Sequence, residues 1–539
     1  MGCQYANLRA RESEHTQKGV SRRGFLAGFG AAAGAAGAVV LTPGDAVAQF
    51  VDLQLAEAHA RPDRFSRIFD KLPTFAEPTP EVLTALVEIG APGGMLDAKD
   101  PLHEGPIRLI TNPELSPNNR DSTAHTAGVT FFGQFLDHDM TFDTSSQLGV
   151  PTPPDQAPNS RTPSFDLDSV YGRGPMEDPQ LYEPDDRARM RVEGGGLFED
   201  LPRTSANTAI IADPRNDENL IIAGLQVAFL KFHNRVVDSL RENAAQGATR
   251  ENWQAVYSVA RRIVTWHYQW IIVHEFLPAI CGEDVVYDLL KHGHRYYQPK
   301  KGQSSIPVEF QGAAFRFGHS LVRPSYRANL AGDNGQPFFA FIFDPAGEGQ
   351  SDPVDLRGGA RAPRRFIGWQ TFFDFGGAQS THVRPNKTID TKISTPLFNL
   401  PLSAIASGDL PTALPQRNLL RHLTWSIPSG QDIARAMGIR PLDPDQLSEL
   451  APFGVNLERS TPLWFYVLKE AEVLTNGHHL AGVGARLVGE VFLGLLESDP
   501  SCYLHQKNWQ PTLPSRAEGT FGIVDLLTYA QVDPGSREQ

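Results

Sequence analysis

Apolar residues recur at helical spacing along much of the 539-residue chain. In the segment from 127 to 142, for example, Val129, Phe132, Phe135 and Leu136 fall close to the i, i+3, i+4 spacing of one helix face. A second such segment, which begins near Trp253, has aromatic residues on several sides, as expected of a helix in the core. The pattern predicts a mainly α-helical chain with few β-strands, and helices at 126–142, 214–241, 252–278, 415–438 and 462–475.

The composition is that of a globular protein rather than a nucleic-acid binder. Charged residues make up 21% of the chain and hydrophobic residues 40%, and the formal net charge is −13. A chain with this balance has no general excess of cations to neutralise phosphates or anionic lipid. The 42 prolines and 48 glycines are spread along the chain, which indicates many loops between helices rather than a disordered tract.

The first 48 residues have the order of an export signal. Arg22 and Arg23 directly precede a mildly apolar run, 25–41, which is followed by the small-x-small site at 46–48. A membrane anchor is the alternative, but the run is short for a span. The sequence predicts a bacterial twin-arginine signal peptide over 1–48, and a periplasmic or secreted mature protein without a membrane span. Residues 49–100 are expected to form a less regular arm before the catalytic domain, 101–539.

The chain has three cysteines, namely Cys3, Cys281 and Cys502. This number excludes a disulfide scaffold and a multi-cysteine zinc site, and without a Cys-x-x-Cys-His motif it excludes c-type haem attachment. Cys281 and Cys502 could form one disulfide in an oxidising compartment or remain two buried thiols, and the sequence leaves both alternatives open.

Polar residues that could do chemistry lie on the apolar helix at 126–142. Gln134, Asp137 and His138 are at i, i+3 and i+4, so they share one face. The simplest alternative is a set of polar residues near the helix C-terminus. A non-haem metal site of His138 and Asp139 is another alternative, but adjacent residues point about 100° apart on a helix and do not easily hold one ion.

An acidic loop follows this helix. Thr162, Ser164, Asp166 and Asp168 alternate in the sequence RTPSFDLDSVYG. Oxygen donors at every second position of an extended loop suit Ca²⁺, which takes six to eight of them. The loop lacks the glycine and closing glutamate of an EF-hand, and a solvated acidic turn remains the alternative.

Arg215 and Glu218 lie at the predicted start of a long helix. Asp213 is a candidate N-cap, and Pro214 suits the first helical position. Arg215 and Glu218 are three residues apart, and by themselves they could be an ordinary surface ion pair.

A second histidine has a candidate partner about 100 residues later. Arg316 and His319 share one face of a predicted helical turn in the sequence FRFGH. Asn418, in the sequence QRN, could hydrogen-bond the non-ligating ring nitrogen of a metal-bound histidine. A lone histidine in such a place is more often structural.

Together and in this order, the motifs resemble the animal-type haem peroxidase family, also called the peroxidase–cyclooxygenase superfamily. The resemblance runs from about Arg108 to Val532. It rests on five motifs with suitable gaps, namely GQFLDHD, DLDSVYG, R-x-x-E, FRFGH and QRN. Each motif alone is weak to moderate evidence, but the set is specific. It implies the large, single-domain, mainly helical fold of that family.

The resemblance also implies roles for the distal residues. His138 is expected to take a proton from hydrogen peroxide and to return it to the departing oxygen. Arg215 is expected to stabilise the charge that develops as the O–O bond breaks. Gln134 is expected to line the site for a small substrate beside the iron.

The family's cofactors imply a second set of roles. His319 is expected to ligate the iron of haem b, with Asn418 orienting its ring. Arg316 and Arg421 are expected to bind the haem propionates. Asp139 is expected to complete a calcium site with the four alternating loop residues, Thr162, Ser164, Asp166 and Asp168.

Covalent attachment of the haem is also implied. Asp137 and Glu218 match the two carboxylates that form ester bonds to haem methyl groups in the family. The next residue is Asn219, where the family's strongest chloride oxidiser has a methionine that bonds the haem. This difference argues against chloride as a donor, but not against bromide, iodide, thiocyanate or organic donors.

The expected function is therefore that of a peroxidase that reduces hydrogen peroxide and oxidises a small donor, either a halide or thiocyanate or a phenolic or aromatic compound. One alternative is a haem-dependent fatty-acid dioxygenase. Arg316 argues against it, because those enzymes carry a tyrosine three residues before the proximal histidine. The other alternative is a non-enzymatic haem-binding or adhesion protein, which the presence of His138 and Arg215 disfavours. The motif at 233–235 (HNR) also fits the family, and we expect it to be structural.

Overall fold

The computed structural model describes residues 64–243, 249–405 and 407–538. The predicted signal peptide and the beginning of the predicted arm, 49–63, therefore lie outside the described residues. Residues 64–100 pack against the rest of the chain, since Phe65 is buried and its ring lies 5.1 Å from that of Trp425.

Helices dominate the described residues, which confirms the predicted fold class. They are α1 (Pro80–Ile89), α2 (Gly105–Thr111), α3 (Ala127–Met140), α4 (Asp168–Tyr171), α5 (Leu220–Asn243), α6 (Trp253–Ile271), α7 (Leu277–Cys281), α8 (Glu283–His292), α9 (Val308–Gln311), α10 (Gly318–Leu321), α11 (Leu414–Thr424), α12 (Gly430–Ala436), α13 (Leu463–Thr475), α14 (Gly482–Ser498) and α15 (Ile523–Tyr529).

The strands are short and form two-stranded antiparallel pairs. Their ranges are β1 (Asp121–Thr126), β2 (Tyr182–Glu183), β3 (Asp186–Met190), β4 (Glu193–Gly194), β5 (Glu199–Asp200), β6 (Ser325–Asp333), β7 (Gln336–Phe341) and β8 (Pro385–Lys387). β1 pairs with β8, β2 with β3, β4 with β5 and β6 with β7. The hairpin of β6 and β7 aligns Ser325 with Phe341 and follows the segment that carries His319.

Three predicted helices need correction at their boundaries. The helix predicted at 415–438 is two helices, α11 and α12, because Pro428 lacks the N–H that would continue the ladder and Ser429 instead caps α12. The helix predicted from 214 begins only at Leu220, after a separate 3₁₀ turn, Pro214–Asp217. Helix α6 ends at Ile271 and continues as one π-helical turn, Ile272–Phe276, into α7.

The core lies between α3, α5, α6, α13 and α14. Phe135 of α3 stacks on Phe229 of α5, with ring centroids 4.6 Å apart, and Tyr268 of α6 packs edge-on against both rings. Burying such rings stabilises the fold by about 1.5–3 kcal/mol each. This packing fixes the helix that carries His138.

Helix α5 is long and apolar enough to cross a membrane by length and composition, over Leu220–Glu242. However, 83% of its most apolar window is buried inside the protein. A helix covered in this way by its neighbours is a core helix, so its hydrophobicity serves packing.

Candidate active site

A cavity of about 270 Å³ lies between α3, the 3₁₀ turn at 214–217 and the segment that carries His319. His138 and His319 both line it. So do the other polar residues that the sequence singled out for a haem site, except Asn418, which lies behind His319. They are Gln134, Asp137, Arg215, Glu218, Arg316 and Arg421.

His138 is the buried histidine on the α3 side of the cavity. Its side chain is 5% exposed, and burial, followed by the charge of Arg215, lowers its pKa to about 3. The ring is therefore neutral and able to accept a proton. Nδ1 lies 2.9 Å from Oδ1 of Asn216, and Nε2 lies 3.7 Å from a carboxyl oxygen of Glu218.

Arg215 is held in place from several directions. Asp213 accepts two hydrogen bonds from its guanidinium, at 3.0 Å from Nε and 2.8 Å from Nη2. The same Nη2 donates to the carbonyls of His138, at 3.1 Å, and Thr141, at 2.6 Å. A guanidinium tied both to the helix backbone and to a buried carboxylate is a fixed positive charge beside the ring of His138.

Two carboxyl groups and two amides lie on the same side of the cavity as His138. Burial raises the pKa of Glu218 to about 8 and raises the pKa of Asp137. Gln134 donates from Nε2 to Glu218, and Asn219 donates from Nδ2 to Oε1 of Gln134 at 3.3 Å. The carboxyl group of Glu218 therefore keeps its proton near neutral pH and does not carry negative charge into the cavity.

His319 lies on α10, a helix of four residues that follows a 3₁₀ turn. Burial, followed by the charge of Arg316, lowers its pKa to about 3, so the ring is neutral and has the lone pair that a metal needs. The side-chain amide of Asn418 lies 2.7 Å from Nδ1. In this orientation Nδ2 of Asn418 faces the ring and Oδ1 accepts from Arg316. With its oxygen and nitrogen exchanged, the amide would accept from Nδ1–H and leave Nε2 free for a metal, but it would give up the bond from Arg316.

Arginines line the cavity near the His319 side. Arg316 donates to Asn418 at 3.3 Å, and burial, followed by Arg421, lowers its pKa to about 10. Arg421 donates to Asp143 at 2.9 Å. Arg417, to which the sequence analysis assigned no role, also lines the cavity.

The lining of this cavity suits an apolar group with negative substituents, such as a haem ring with its propionates. Its walls carry Phe315, Phe317 and Ile342 beside the arginines. Among the described residues, Nε of Arg421 is buried without a hydrogen-bond partner, so one cationic donor is left for an anion. His319 could supply the axial nitrogen of such a haem.

Three carboxylates meet beneath α3, next to Tyr268 of the aromatic stack, whose hydroxyl donates to Asp139 at 3.1 Å. One oxygen from each of Asp139, Asp166 and Asp168 lies within 4.8 Å of the others. Burial, followed by the charge of Asp168, raises the pKa of Asp139 to about 7. Such mutual repulsion at close range is what a bound cation would relieve.

The two hydroxyl residues of the predicted calcium loop contact different carboxylates. The hydroxyl of Ser164 donates to Asp499 at 3.3 Å. Thr162 contacts Asp168 through its backbone N–H at 2.8 Å and through its side chain. The structure thus brings the acidic residues together, while the Ser164 hydroxyl faces a fourth carboxylate that the sequence analysis missed.

The sequence motifs did not reveal the roles of two residues of the site, Asn216 and Asp213. Asn216 contacts His138 although the two are 78 positions apart. Asp213, predicted only as a cap, accepts from the backbone N–H of Arg215 at 2.9 Å and also pairs with Arg161 at 3.1 Å. The signal for Asp213 was available, since a capping aspartate two residues before an arginine is within reach of its guanidinium.

The remaining histidines and cysteines have other partners. His233 of the HNR motif is fully buried. Its Nε2 donates to the carbonyl of Ala188 at 2.8 Å, and its Nδ1 accepts from the hydroxyl of Tyr171 at 3.0 Å. Such a bridge between α5 and its neighbours is the expected structural role. Cys281 and Cys502 are two free, buried thiols, which decides between the two alternatives left open by the sequence.

A profile of the animal haem peroxidase family matches residues 144–338. This segment contains the acidic loop, the Arg215 turn and His319. The chain carries an animal haem peroxidase domain. The resemblance stated from the motifs is thereby confirmed, and members of this family bind haem.

The peroxidase domain has relatives in animals. It is 26% identical to thyroid peroxidase of Mus musculus over 199 residues, which are 32% of this chain and 20% of that protein. A peroxidase-like protein of Margaritifera margaritifera is 25% identical over 277 residues, which are 40% of this chain and 34% of that protein. The chain thus spans well under half the length of these curated relatives.

Solved structures show the same fold. Peroxidase A of Dictyostelium discoideum aligns with 82% of this chain and 88% of its own, with a TM-score of 0.54 and 17% identity. A fatty acid alpha-dioxygenase of Oryza sativa aligns with 91% of this chain and 90% of its own, with a TM-score of 0.53 and 13% identity. At these identities the likeness concerns the fold, which peroxidases and dioxygenases share.

Proposed function

We propose that the protein is a haem peroxidase, which reduces hydrogen peroxide to water with electrons from a small donor. The observation that carries this proposal is the presence of two neutral histidines on one cavity, His138 buried and His319 partly buried, each with Nδ1 beside an asparagine. Of the two rings, that of His138 lies beside the fixed guanidinium of Arg215 and the carboxyl group of Glu218.

The residues of the distal side suit proton transfer to peroxide. His138 can take the proton of the bound peroxide oxygen on Nε2 and give it to the oxygen that leaves as water. Arg215 can stabilise the negative charge on that oxygen until the proton arrives. Haem, bound through His319 and through arginines such as Arg316 and Arg421, supplies the two electrons, which a donor then restores.

The donor is proposed to be small. Gln134 and Asn219 place amide groups beside Glu218 in the cavity, where they could bind a halide, thiocyanate or the hydroxyl of a phenol. We therefore propose halides other than chloride, thiocyanate, and phenolic or aromatic compounds as donor classes. Arg316 stands where the dioxygenases carry their tyrosine, which supports the peroxidase over the dioxygenase.

The test is the Soret-band change within seconds of adding one equivalent of hydrogen peroxide, measured by stopped flow on the haem-loaded protein. His138→Ala and Arg215→Ala should retain haem and slow this reaction by about 10²- to 10⁴-fold. His382→Ala, which changes a partly exposed histidine that does not line the cavity, is the matched control. A wild-type band indifferent to peroxide would instead support a haem-binding protein without enzymatic activity.

Covalent haem attachment is part of the proposal. Asp137 and Glu218 both line the cavity, and burial raises the pKa of each carboxyl group. Each ester would join a carboxyl oxygen to the carbon of a haem methyl group, and the carboxyl proton and one methyl hydrogen would leave with two electrons that reduce one hydrogen peroxide to two waters. After turnover with peroxide, extraction with acidified butanone should leave haem on the protein. Asp137→Ala with Glu218→Ala should release all of it, and complete release from the wild type would contradict the esters.

A calcium ion is proposed for the site of Asp139, Asp166 and Asp168, supported by the convergence of their carboxylates. Asp139 follows His138 directly, so the ion would fix the helix that carries the distal histidine.

Export by the twin-arginine route to the periplasm or medium is proposed from the sequence of residues 1–48. Arg22→Lys with Arg23→Lys should retain the full-length precursor inside the cell. N-terminal sequencing of the exported wild type should begin near residue 49.

A further inference from the structure

The side chain of Asn216 links His138 to a third residue. Asn216 is fully buried, and its Oδ1 lies 2.9 Å from Nδ1 of His138. Its Nδ2 donates to Oε1 of Gln226 at 2.9 Å, and Gln226 on α5 is 1% exposed. These three side chains form a short chain of hydrogen bonds that runs from the cavity into the core.

The order of donors and acceptors in these hydrogen bonds determines which ring nitrogen of His138 is protonated. A carbonyl oxygen can only accept, so Oδ1 of Asn216 facing Nδ1 requires a proton on Nδ1. The neutral ring has one proton, so Nε2 then carries the lone pair. If the amide were reversed, Nδ2 would donate to Nδ1, the proton would lie on Nε2, and the ring could not accept a proton from a substrate on that atom.

The backbone of the 3₁₀ turn explains why Asn216 reaches the ring. Pro214–Asp217 is one tight turn, so Arg215 and Asn216 leave it as neighbours. Arg215 donates to the backbone carbonyl of His138, and Asn216 contacts its ring. This turn therefore contacts His138 both at its backbone carbonyl and at its ring.

We infer that Asn216, oriented by Gln226, is a positioning residue that holds His138 in the tautomer protonated on Nδ1, which leaves the lone pair on Nε2 for the proton of the peroxide. The inference rests on the proposed function. It adds to that function two residues that act through His138 and do not line the cavity themselves.

The first test uses haem-free protein, so it does not depend on peroxidase activity. Nitrogen-15 spectra of protein labelled at histidine distinguish a protonated from an unprotonated Nδ1. The wild type should show the Nδ1–H form for the signal that disappears in His138→Ala. Asn216→Asp, whose carboxylate can only accept, should keep this form, and Asn216→Leu should lose it. A wild-type signal of the Nε2–H form would overturn the inference.

The second test measures the rate of the peroxide reaction of the haem-loaded variants. Asn216→Leu should slow it by about 10- to 100-fold, as is usual when the partner of a functional histidine is removed. Asn216→Asp should stay within about threefold of wild type, and the KM for the donor should not change in either. Equal rates in Asn216→Leu and wild type would overturn the inference.

Two further controls separate positioning from folding. Haem content and thermal unfolding should match wild type in each variant used. If Asn216→Leu does not fold, Gln226→Leu replaces it. This variant keeps the bond between Asn216 and the ring of His138 and removes only the bond between Asn216 and residue 226. It should therefore change the nitrogen-15 signal and the rate of the peroxide reaction in the direction expected for Asn216→Leu, but by less. If peroxide fails to react with the wild type, the proposed function fails, whereas the tautomer measurement still decides the structural part.

Discussion

Asp213 holds Arg215 through two hydrogen bonds to its guanidinium, at 3.0 and 2.8 Å, and it is itself fully buried. It also lies 3.1 Å from Nε of Arg161, so one carboxylate serves two arginines. Burial alone would raise the pKa of Asp213, but Arg215 and then its neighbours lower it to about 2. The charged group expected to act on peroxide is therefore fixed by a residue that does not reach the cavity.

Removing this carboxylate should destabilise the protein strongly. Asp213→Asn removes the fully buried carboxylate that two partly buried guanidiniums share, and breaking a buried pair of this kind costs up to roughly 3–5 kcal/mol. Urea unfolding of the haem-free protein measures the loss. Asp352→Asn is the matched control, because Asp352 pairs with Arg364 at 2.9 Å with 42% of its side chain exposed, and such pairs contribute at most about 1 kcal/mol. A cost for Asp213→Asn no larger than that of the control would contradict the arrangement.

Glu218 should make the haem-free protein less stable as the pH rises. Burial raises its pKa from 4.5 to about 8, so between these values the folded chain binds a proton that the unfolded chain has released. Stability is then fully present below about pH 4.5 and falls by up to about 1.4 kcal/mol per pH unit toward pH 8. Urea unfolding at pH 5, 6, 7 and 8 should show this slope in the wild type and a flatter one in Glu218→Gln. Parallel slopes would contradict the buried protonated carboxyl.

Replacing the expected iron ligand should be reversible by a small molecule. His319→Gly should lower haem occupancy at least about tenfold, because the axial nitrogen is lost while the cavity and its arginines remain. Imidazole added to the variant should restore a Soret band, since it can occupy the space of the deleted ring. The same imidazole concentration should leave the band of the wild type intact. A normal Soret band in the variant without imidazole would mean that another residue ligates the iron.

Calcium should stabilise the chain through the three carboxylates beneath α3. An ion that binds only the folded state adds about 2.7 kcal/mol at one hundred times its Kd, so thermal unfolding should shift upward with calcium and downward with a chelator. Magnesium should have a smaller effect, because it needs a tighter octahedral set of ligands. Asp166→Asn should reduce the response to calcium. An unfolding temperature independent of calcium would leave the cluster as a purely structural acidic site.

The sequence predicted those parts of the site that depend on neighbours along one helix. Gln134, Asp137 and His138 share a face because the helix, predicted at 126–142, is present over Ala127–Met140. The residues that orient them come from elsewhere. Asn216 meets His138 and Asp499 meets Ser164 only because tertiary packing brings distant segments together, and no local pattern encodes such contacts.

The boundaries were wrong where local chemistry outweighed periodicity. The apolar spacing continues through Pro428, but proline cannot extend the hydrogen-bond ladder, so α11 ends at Thr424. Arg215 and Glu218 were expected in the first turn of a helix, whereas they belong to a separate 3₁₀ turn and its end. The turn matters for the site, since it directs Arg215 and Asn216 at the same histidine.

The side-chain amide of Asn219 accepts hydrogen bonds through its oxygen and donates one through its nitrogen. Its Oδ1 accepts the backbone N–H groups of Ile221 and Ile222, at 3.1 and 3.0 Å, as an N-cap does, while its Nδ2 donates to Gln134 in the cavity. A side chain without an acceptor oxygen here would alter the start of α5 and the cavity together. Aspartate, serine or threonine would keep the cap and change only the group presented to Gln134, so these are the residues through which this position can vary in a single step without weakening the helix start.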